Sequence, residues 1–327
     1  ACDRSWLRPI PTSQNYYVFD LINEPNAQDI RWKVDTHPNI PWGTSSSFTV
    51  PLQEDYTVTV SWYDGTCYKM CCKRVCWVNP VTCGLAKPRP IPTSNNLYTL
   101  EVGENNITDV RWEVDGNPSF NSTNLTYAPP FSGSGTYTIY VRYKTQSGCY
   151  KVCCVKVCYA PPVNCNSLRV RPVPTSNGFY ELESSDSGIS DMKWEVGSNP
   201  NLTSTNLVYA PPFPVDGSYF VYARYKLPSG CYVVCCIKVC YANPFNCNNL
   251  KLRPIPLNDK YVFDLNEPSA SDITWKVHET GETVNSGLSF VPNSLQVGQM
   301  YNVSVKYKIG DCYKVCCIKV CYDLPST

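Results

Sequence analysis

The chain has 327 residues, and its 28 Lys plus Arg are almost cancelled by 27 Asp plus Glu. With no basic block or charged tail, a nucleic-acid surface is not expected, and with no long apolar run, neither is membrane insertion through a helix. Twenty cysteines point to an extracellular or cell-surface setting, because cytosolic thiols are kept reduced, and a start at Ala1 fits removal of a signal peptide.

Length alone argues for about two domains, but an internal period overrides it. Cys2, Cys83, Cys165 and Cys247 recur at spacings of 81, 82 and 82, and Trp32, Trp112, Trp194 and Trp275 recur in step. The expected domains are residues 1–82, 83–164, 165–246 and 247–327. Units of this size bury a thin core, and small domains commonly add covalent staples.

Each repeat opens on a Pro-x-Pro segment led by Arg8, Arg89, Arg171 or Arg253, which suits a strand at a sheet edge. A second strand follows (YYVFDL in the first repeat), then a third around the tryptophan. There Ile30, Trp32 and Val34 alternate with Arg31 and Lys33, the period of a strand with one buried face. Trp32, Trp112, Trp194 and Trp275 are therefore read as core, in preference to a sugar-stacking platform. A Pro- and Asn-rich connection, a short strand and a long strand such as Thr136–Tyr143 come next. A turn holding Gly65, Gly148, Gly230 or Gly310 feeds a final strand, and these last two strands form an expected antiparallel hairpin.

Six or seven short strands per repeat with no helical pattern read as β-sandwiches. The Tyr-x-Val-x-Val…Gly-Cys hairpin, together with the core tryptophan, resembles the immunoglobulin-like and PKD-like repeats of secreted and cell-surface fibre proteins. That resemblance implies an all-β fold of four tandem immunoglobulin-like β-sandwich domains in an extended array. One departure is expected: immunoglobulin domains join facing strands by a disulfide, and no repeat here is read as having cysteines so placed.

The final strand is the most repetitive stretch, Cys-x3-Cys-Cys-x3-Cys. Its copies are Cys67, Cys71, Cys72 and Cys76; Cys149, Cys153, Cys154 and Cys158; Cys231, Cys235, Cys236 and Cys240; and Cys312, Cys316, Cys317 and Cys321. In an unbroken strand Cys149 and Cys153 lie about 13 Å apart, beyond disulfide reach. Alternation also sets Val152 opposite Val155 and Val157, so a one-residue bulge at Cys153 and Cys154 is expected. A vicinal disulfide or a tight hairpin there is the alternative. In an immunoglobulin-like sandwich the last strand finishes near the next domain. Cys76 is thus expected to bond Cys83, Cys158 to bond Cys165, and Cys240 to bond Cys247, stiffening each joint. Cys2 and Cys321 are left over, and are expected to join between molecules in a head-to-tail homopolymer. Cysteine-only zinc is disfavoured, because residues alternating across a strand do not converge on one ion.

His37 and His278 occupy unmatched positions and read as loop residues. No phosphate loop, nucleophile elbow or His-Glu-x-x-His occurs, so no catalytic, cofactor-binding or metal site is expected, and no enzyme. Asn106, Asn121, Asn124, Asn201 and Asn302 fit the glycosylation acceptor pattern. Trp6 stands where other repeats carry Lys87, Arg169 or Lys251, and Trp42 lies in a loop of its own. Both are candidates for a subunit interface. The expected function is a structural subunit of an extracellular filament or surface fibre. The alternative is a surface adhesin or glycan-binding stalk, with glycans as candidate ligands.

Overall fold

A computed structural model describes residues 4–9, 11–91, 93, 98–115, 117–162, 165–172, 180–197, 199–255, 260–285 and 287–323. One strand set recurs four times. The first comprises β1 (Ser5–Leu7), β2 (Tyr17–Leu21), β3 (Gln28–Val34), β4 (Ser47–Val50), β5 (Tyr56–Tyr63) and β6 (Tyr68–Val75). The second comprises β7 (Ala86–Pro88), β8 (Leu100–Val102), β9 (Thr108–Val114), β10 (Asn117–Ser122), β11 (Thr126–Tyr127), β12 (Gly135–Lys144) and β13 (Tyr150–Tyr159). In the third are β14 (Leu168–Pro172), β15 (Tyr180–Ser184), β16 (Ser190–Val196), β17 (Asn199–Ser204), β18 (Val208–Tyr209), β19 (Gly217–Lys226) and β20 (Tyr232–Tyr241). The fourth holds β21 (Leu250–Ile255), β22 (Lys260–Leu265), β23 (Ser271–Val277), β24 (Thr283–Val284), β25 (Ser289–Phe290), β26 (Gln299–Ile309) and β27 (Cys312–Tyr322).

Each set splits into two sheets. The smaller runs β1–β2–β4, with counterparts β7–β8–β11, β14–β15–β18 and β21–β22–β25; the larger carries the tryptophan strand and the final hairpin. The Pro-x-Pro strands β1, β7, β14 and β21 pair on one side only, as strands with missing N–H donors must. The hairpin turn needs a left-handed residue, and Gly148 supplies it at φ 85°.

Core clusters join the two sheets. In the first repeat Leu7, Tyr17, Phe19 and Val50 meet Trp32, Val34, Val58 and Val60. In the fourth, Leu250, Phe263 and Phe290 meet Trp275, Val277, Val303 and Val305. All four tryptophans are fully buried. Their indole N–H groups donate to the carbonyls of Ser45, Asn124, Asn206 and Gly287 at 2.8, 3.0, 2.8 and 3.0 Å, so burial leaves no orphaned donor.

Two expectations are corrected. No bulge interrupts the cysteine strand: β13 pairs with β12 residue for residue from Tyr159 to Tyr150. Val152 and Val155 are nonetheless both buried, because the strand is covered on both faces. Val141 lies opposite both Cys153 and Trp112, which places Cys153, Val155 and Val157 on the core face. Tyr150 and Val152, on the other face, join the core cluster of the first repeat. The bulge is in the tryptophan strand, where the register shifts beside Asp29, Asp109, Asp191 and Asp272. All four adopt positive φ, 47–49°, which Asp tolerates better than most residues.

The chain packs as two compact units, Ala1–Ala160 with Ser229–Val233, and Pro161–Pro228 with Val234–Thr327. The start of a cysteine strand thus belongs with the preceding repeat.

His37 and His278 lie in turns after their tryptophan strands. The His278 ring is partly buried and its Nε2 lies 2.7 Å from Ser304 Oγ; burial, with help from Lys276, holds its pKa down at about 4. An unfolded chain takes up this proton near pH 6.5, so stability is complete above that value and falls as pH drops toward 4. The His278→Gln variant should show a smaller loss of thermal stability between pH 7 and pH 4.5 than the parent. Separately, Trp194→Ala should cost about 3–5 kcal/mol, read from the denaturant midpoint.

Candidate functional site

The joints between repeats are where the residue pattern becomes chemistry. Six disulfides form among the described residues, in two alternating kinds. Cys76–Cys149, Cys158–Cys231 and Cys240–Cys312 link one repeat to the next. Cys83–Cys153, Cys165–Cys235 and Cys247–Cys316 close the second, third and fourth repeats on themselves. The expected bonds of Cys76 to Cys83, Cys158 to Cys165 and Cys240 to Cys247 are therefore overturned.

The reason lies in the path of the linker. It does not fold back to bring Cys76 and Cys83 together; it lies along the next cysteine strand, where the Cys154 N–H donates to the Pro80 carbonyl at 2.8 Å. One end is bonded to Cys149 and the other to Cys153. The stretch from Cys149 to Cys153, too long for a direct bond between them, is the stretch the linker covers. Cys83, which stands before β7, is thereby fixed to the large sheet through Cys153. Among the described residues no disulfide joins facing strands of the two sheets of a repeat, as the sequence was read.

A backbone contact reinforces each strap. Val75 bridges Tyr150 in parallel, as Val157 does Tyr232 and Val239 does Tyr313. In the first joint the Cys76 N–H donates to the Tyr150 carbonyl at 3.0 Å. The Tyr17 hydroxyl lies between the two repeats, donating to the Val78 carbonyl at 2.9 Å and accepting from the Val152 N–H at 3.4 Å.

Trp6 belongs to this joint too, half-buried within the chain. Its ring lies 4.0 Å from the Arg142 guanidinium carbon and 5.0 Å from that of Arg111. Arg142 is fully buried and paired with Asp109 at 2.7 Å. Burial lowers its pKa, and the Asp109 carboxylate offsets part of that effect. A cation over an indole face in a dry setting is worth about 2 kcal/mol. Trp42, in contrast, is exposed, with Arg31 at 6.0 Å.

The remaining cysteines sort by position. Cys154, Cys236 and Cys317, second of each Cys-Cys pair, are thiols. Burial pushes their pKa up to about 11, 11 and 12, so they stay protonated and unreactive at neutral pH. Cys72, their counterpart, is exposed, as are Cys67 and Cys321. Cys71 is buried in the first core, and Cys2 lies outside the described residues. In the three joints, the cysteine at the position of Cys321 bonds the first cysteine of the following strand. Sequence reading missed Arg142 and the first-position cysteines as joint residues. The signal was present in the constant separations of 72–73 and 69–70 residues between bonded pairs.

Of the candidate glycosylation sites, Asn106, Asn124 and Asn201 are exposed. Asn302 donates to Glu279 at 2.8 Å. The Asn121 side chain lies outside the described set.

The chain is a tandem array of two-sheet β-sandwich repeats. No family model and no curated protein matches it. Among solved structures it is similar to a Ca2+-stabilised, ice-binding adhesin of an Antarctic bacterium, at 9% identity, TM-score 0.18 and 99% coverage of each chain. It is similar also to a tetra-tandem repeat in the extending region of a large adhesion protein, at 12% identity, TM-score 0.17 and coverage of 93% and 94%. A third is Drosophila N-cadherin EC1-4, at 11% identity, TM-score 0.16 and coverage of 92% and 93%. Scores at this level carry no inference about what the chain binds.

Digestion without reductant should yield linked peptides joining Cys76 to Cys149 and Cys83 to Cys153, and none joining Cys76 to Cys83. The double variant Cys76→Ser, Cys149→Ser should lower unfolding free energy by about 2–4 kcal/mol, measured by denaturant titration.

Proposed function

We propose that this chain is a structural subunit of an extracellular filament or surface fibre, polymerising head to tail through contacts that repeat its own joints. The observation that carries this reading is the repetition of one joint three times. The same pair of cysteine positions is bonded, and the same valine and tyrosine positions are bridged, at each step. A contact that reproduces itself from one unit to the next is heterologous, and such contacts propagate as open assemblies unless the rotation closes a ring. Twelve cysteines bonded within the chain favour an oxidising compartment. No helix of the described residues is long and apolar enough to cross a membrane.

Negative-stain microscopy of the oxidised native protein tests the reading. Long filaments of uniform width are expected. Discrete particles of single-chain mass at every concentration would reject polymerisation and favour the adhesin or stalk alternative.

A further inference from the structure

Each internal joint has an entering half and a receiving half, and the structure presents one of each with its surface exposed. The entering half is the start of a cysteine strand. Cys149, Tyr150 and Val152 are 0%, 5% and 0% exposed where they enter the first joint, and Cys312 and Val315 are 7% and 5% exposed at the last. Their counterparts in the first repeat are Cys67, which is exposed, and Tyr68 and Met70, at 67% and 72%. Two large apolar side chains are thus in water at positions that elsewhere are buried against a neighbouring repeat, which marks an interaction surface. Tyr68 is already oriented for that role. Its hydroxyl donates to Asp29 at 2.8 Å, as Tyr150 does to Asp109 at 2.5 Å.

The receiving half shows the same contrast. Leu7 is 0% exposed and Val170 4%, whereas Leu252, in the matching place on the fourth repeat, is 36% exposed. Cys321 is exposed, and Met300, its cross-strand neighbour, is 57% exposed.

Resting on the filament reading above, we infer that the receiving half of one copy binds the entering half of a second copy, and that the contact is locked by a disulfide between Cys321 and Cys67. This pair reproduces Cys76–Cys149, Cys158–Cys231 and Cys240–Cys312. The matching register sets Val320 beside Tyr68 of the second copy. Bond formation removes one proton from each thiol and two electrons in all. A small-molecule disulfide such as oxidised glutathione accepts them: the Cys67 thiolate attacks one of its sulfurs and expels a thiolate, and Cys321 then displaces the second.

Complementation tests this without disturbing any internal bond. With oxidised glutathione, the parent should give a ladder of multimers on a non-reducing gel. Cys67→Ser alone and Cys321→Ser alone should each give monomer, and an equimolar mixture of the two should give dimer and nothing larger. Mass spectrometry of that dimer should find the Cys67–Cys321 peptide. Tyr68→Asp should slow the ladder at least tenfold. A ladder that persists in either serine variant, or a dimer linked through Cys72, would overturn the assignment. Filaments under the microscope with only monomer on the gel would overturn the bond and leave the polymer reading standing. Neither filaments nor ladder would remove both.

Discussion

The strapping of each linker along the following cysteine strand is the constraint on which the rest depends. A linker between small sandwiches normally leaves their relative motion free, since few contacts cross it. Here the segment after Cys76 is bonded at both ends to one strand, Cys149 at one and Cys153 at the other, and the Cys154 N–H holds its middle. The strand has to be buried on both faces to allow this. That requirement explains a composition that reads wrongly as a one-sided strand: Val152 serves the preceding repeat while Val155 and Val157 serve their own.

Much of the fold was legible because it rests on local patterns. Alternation around Trp32, the prolines of the edge strands and the glycines of the hairpin turns each act within a few residues, and each gives the element expected. The cysteine pairing was not legible in the same way. Whether a six-residue linker turns back or runs forward is decided by contacts with a strand some seventy residues later, and no local rule encodes that. Comparison of the repeats would have helped, because the bonded positions keep nearly constant separations. The bulge was misplaced for a related reason. A break in hydrophobic alternation was attributed to backbone geometry when a second burial face caused it, while the aspartate three residues before each tryptophan passed unnoticed. Trp6 was read as surface because its partner, Arg142, lies far along the chain.

The odd number of cysteines per repeat now has a physical account. Four of the five positions are served by one bond within a repeat and one bond across each of its two joints. The fifth, at Cys154, Cys236 and Cys317, is kept as a thiol, half-buried in the first case and buried in the other two, whose raised pKa makes it a poor nucleophile. Adjacent cysteines invite disulfide scrambling, and burying one of each pair as a neutral thiol suppresses it. Only Cys72 of this class is exposed.

The bonds between repeats have a mechanical consequence. From Cys67 a covalent path runs along the strand to Cys76, crosses to Cys149, follows that strand to Cys158, crosses to Cys231, and continues through Cys240 and Cys312 to Cys321. Four ten-residue segments, already extended as strands, therefore carry any pulling force. The second, third and fourth sandwiches hang from this path as closed loops outside the line of tension. Stretching the chain between Cys67 and Cys321 cannot unravel a repeat and release its length, so the molecule is close to inextensible along that line whatever the stability of its cores.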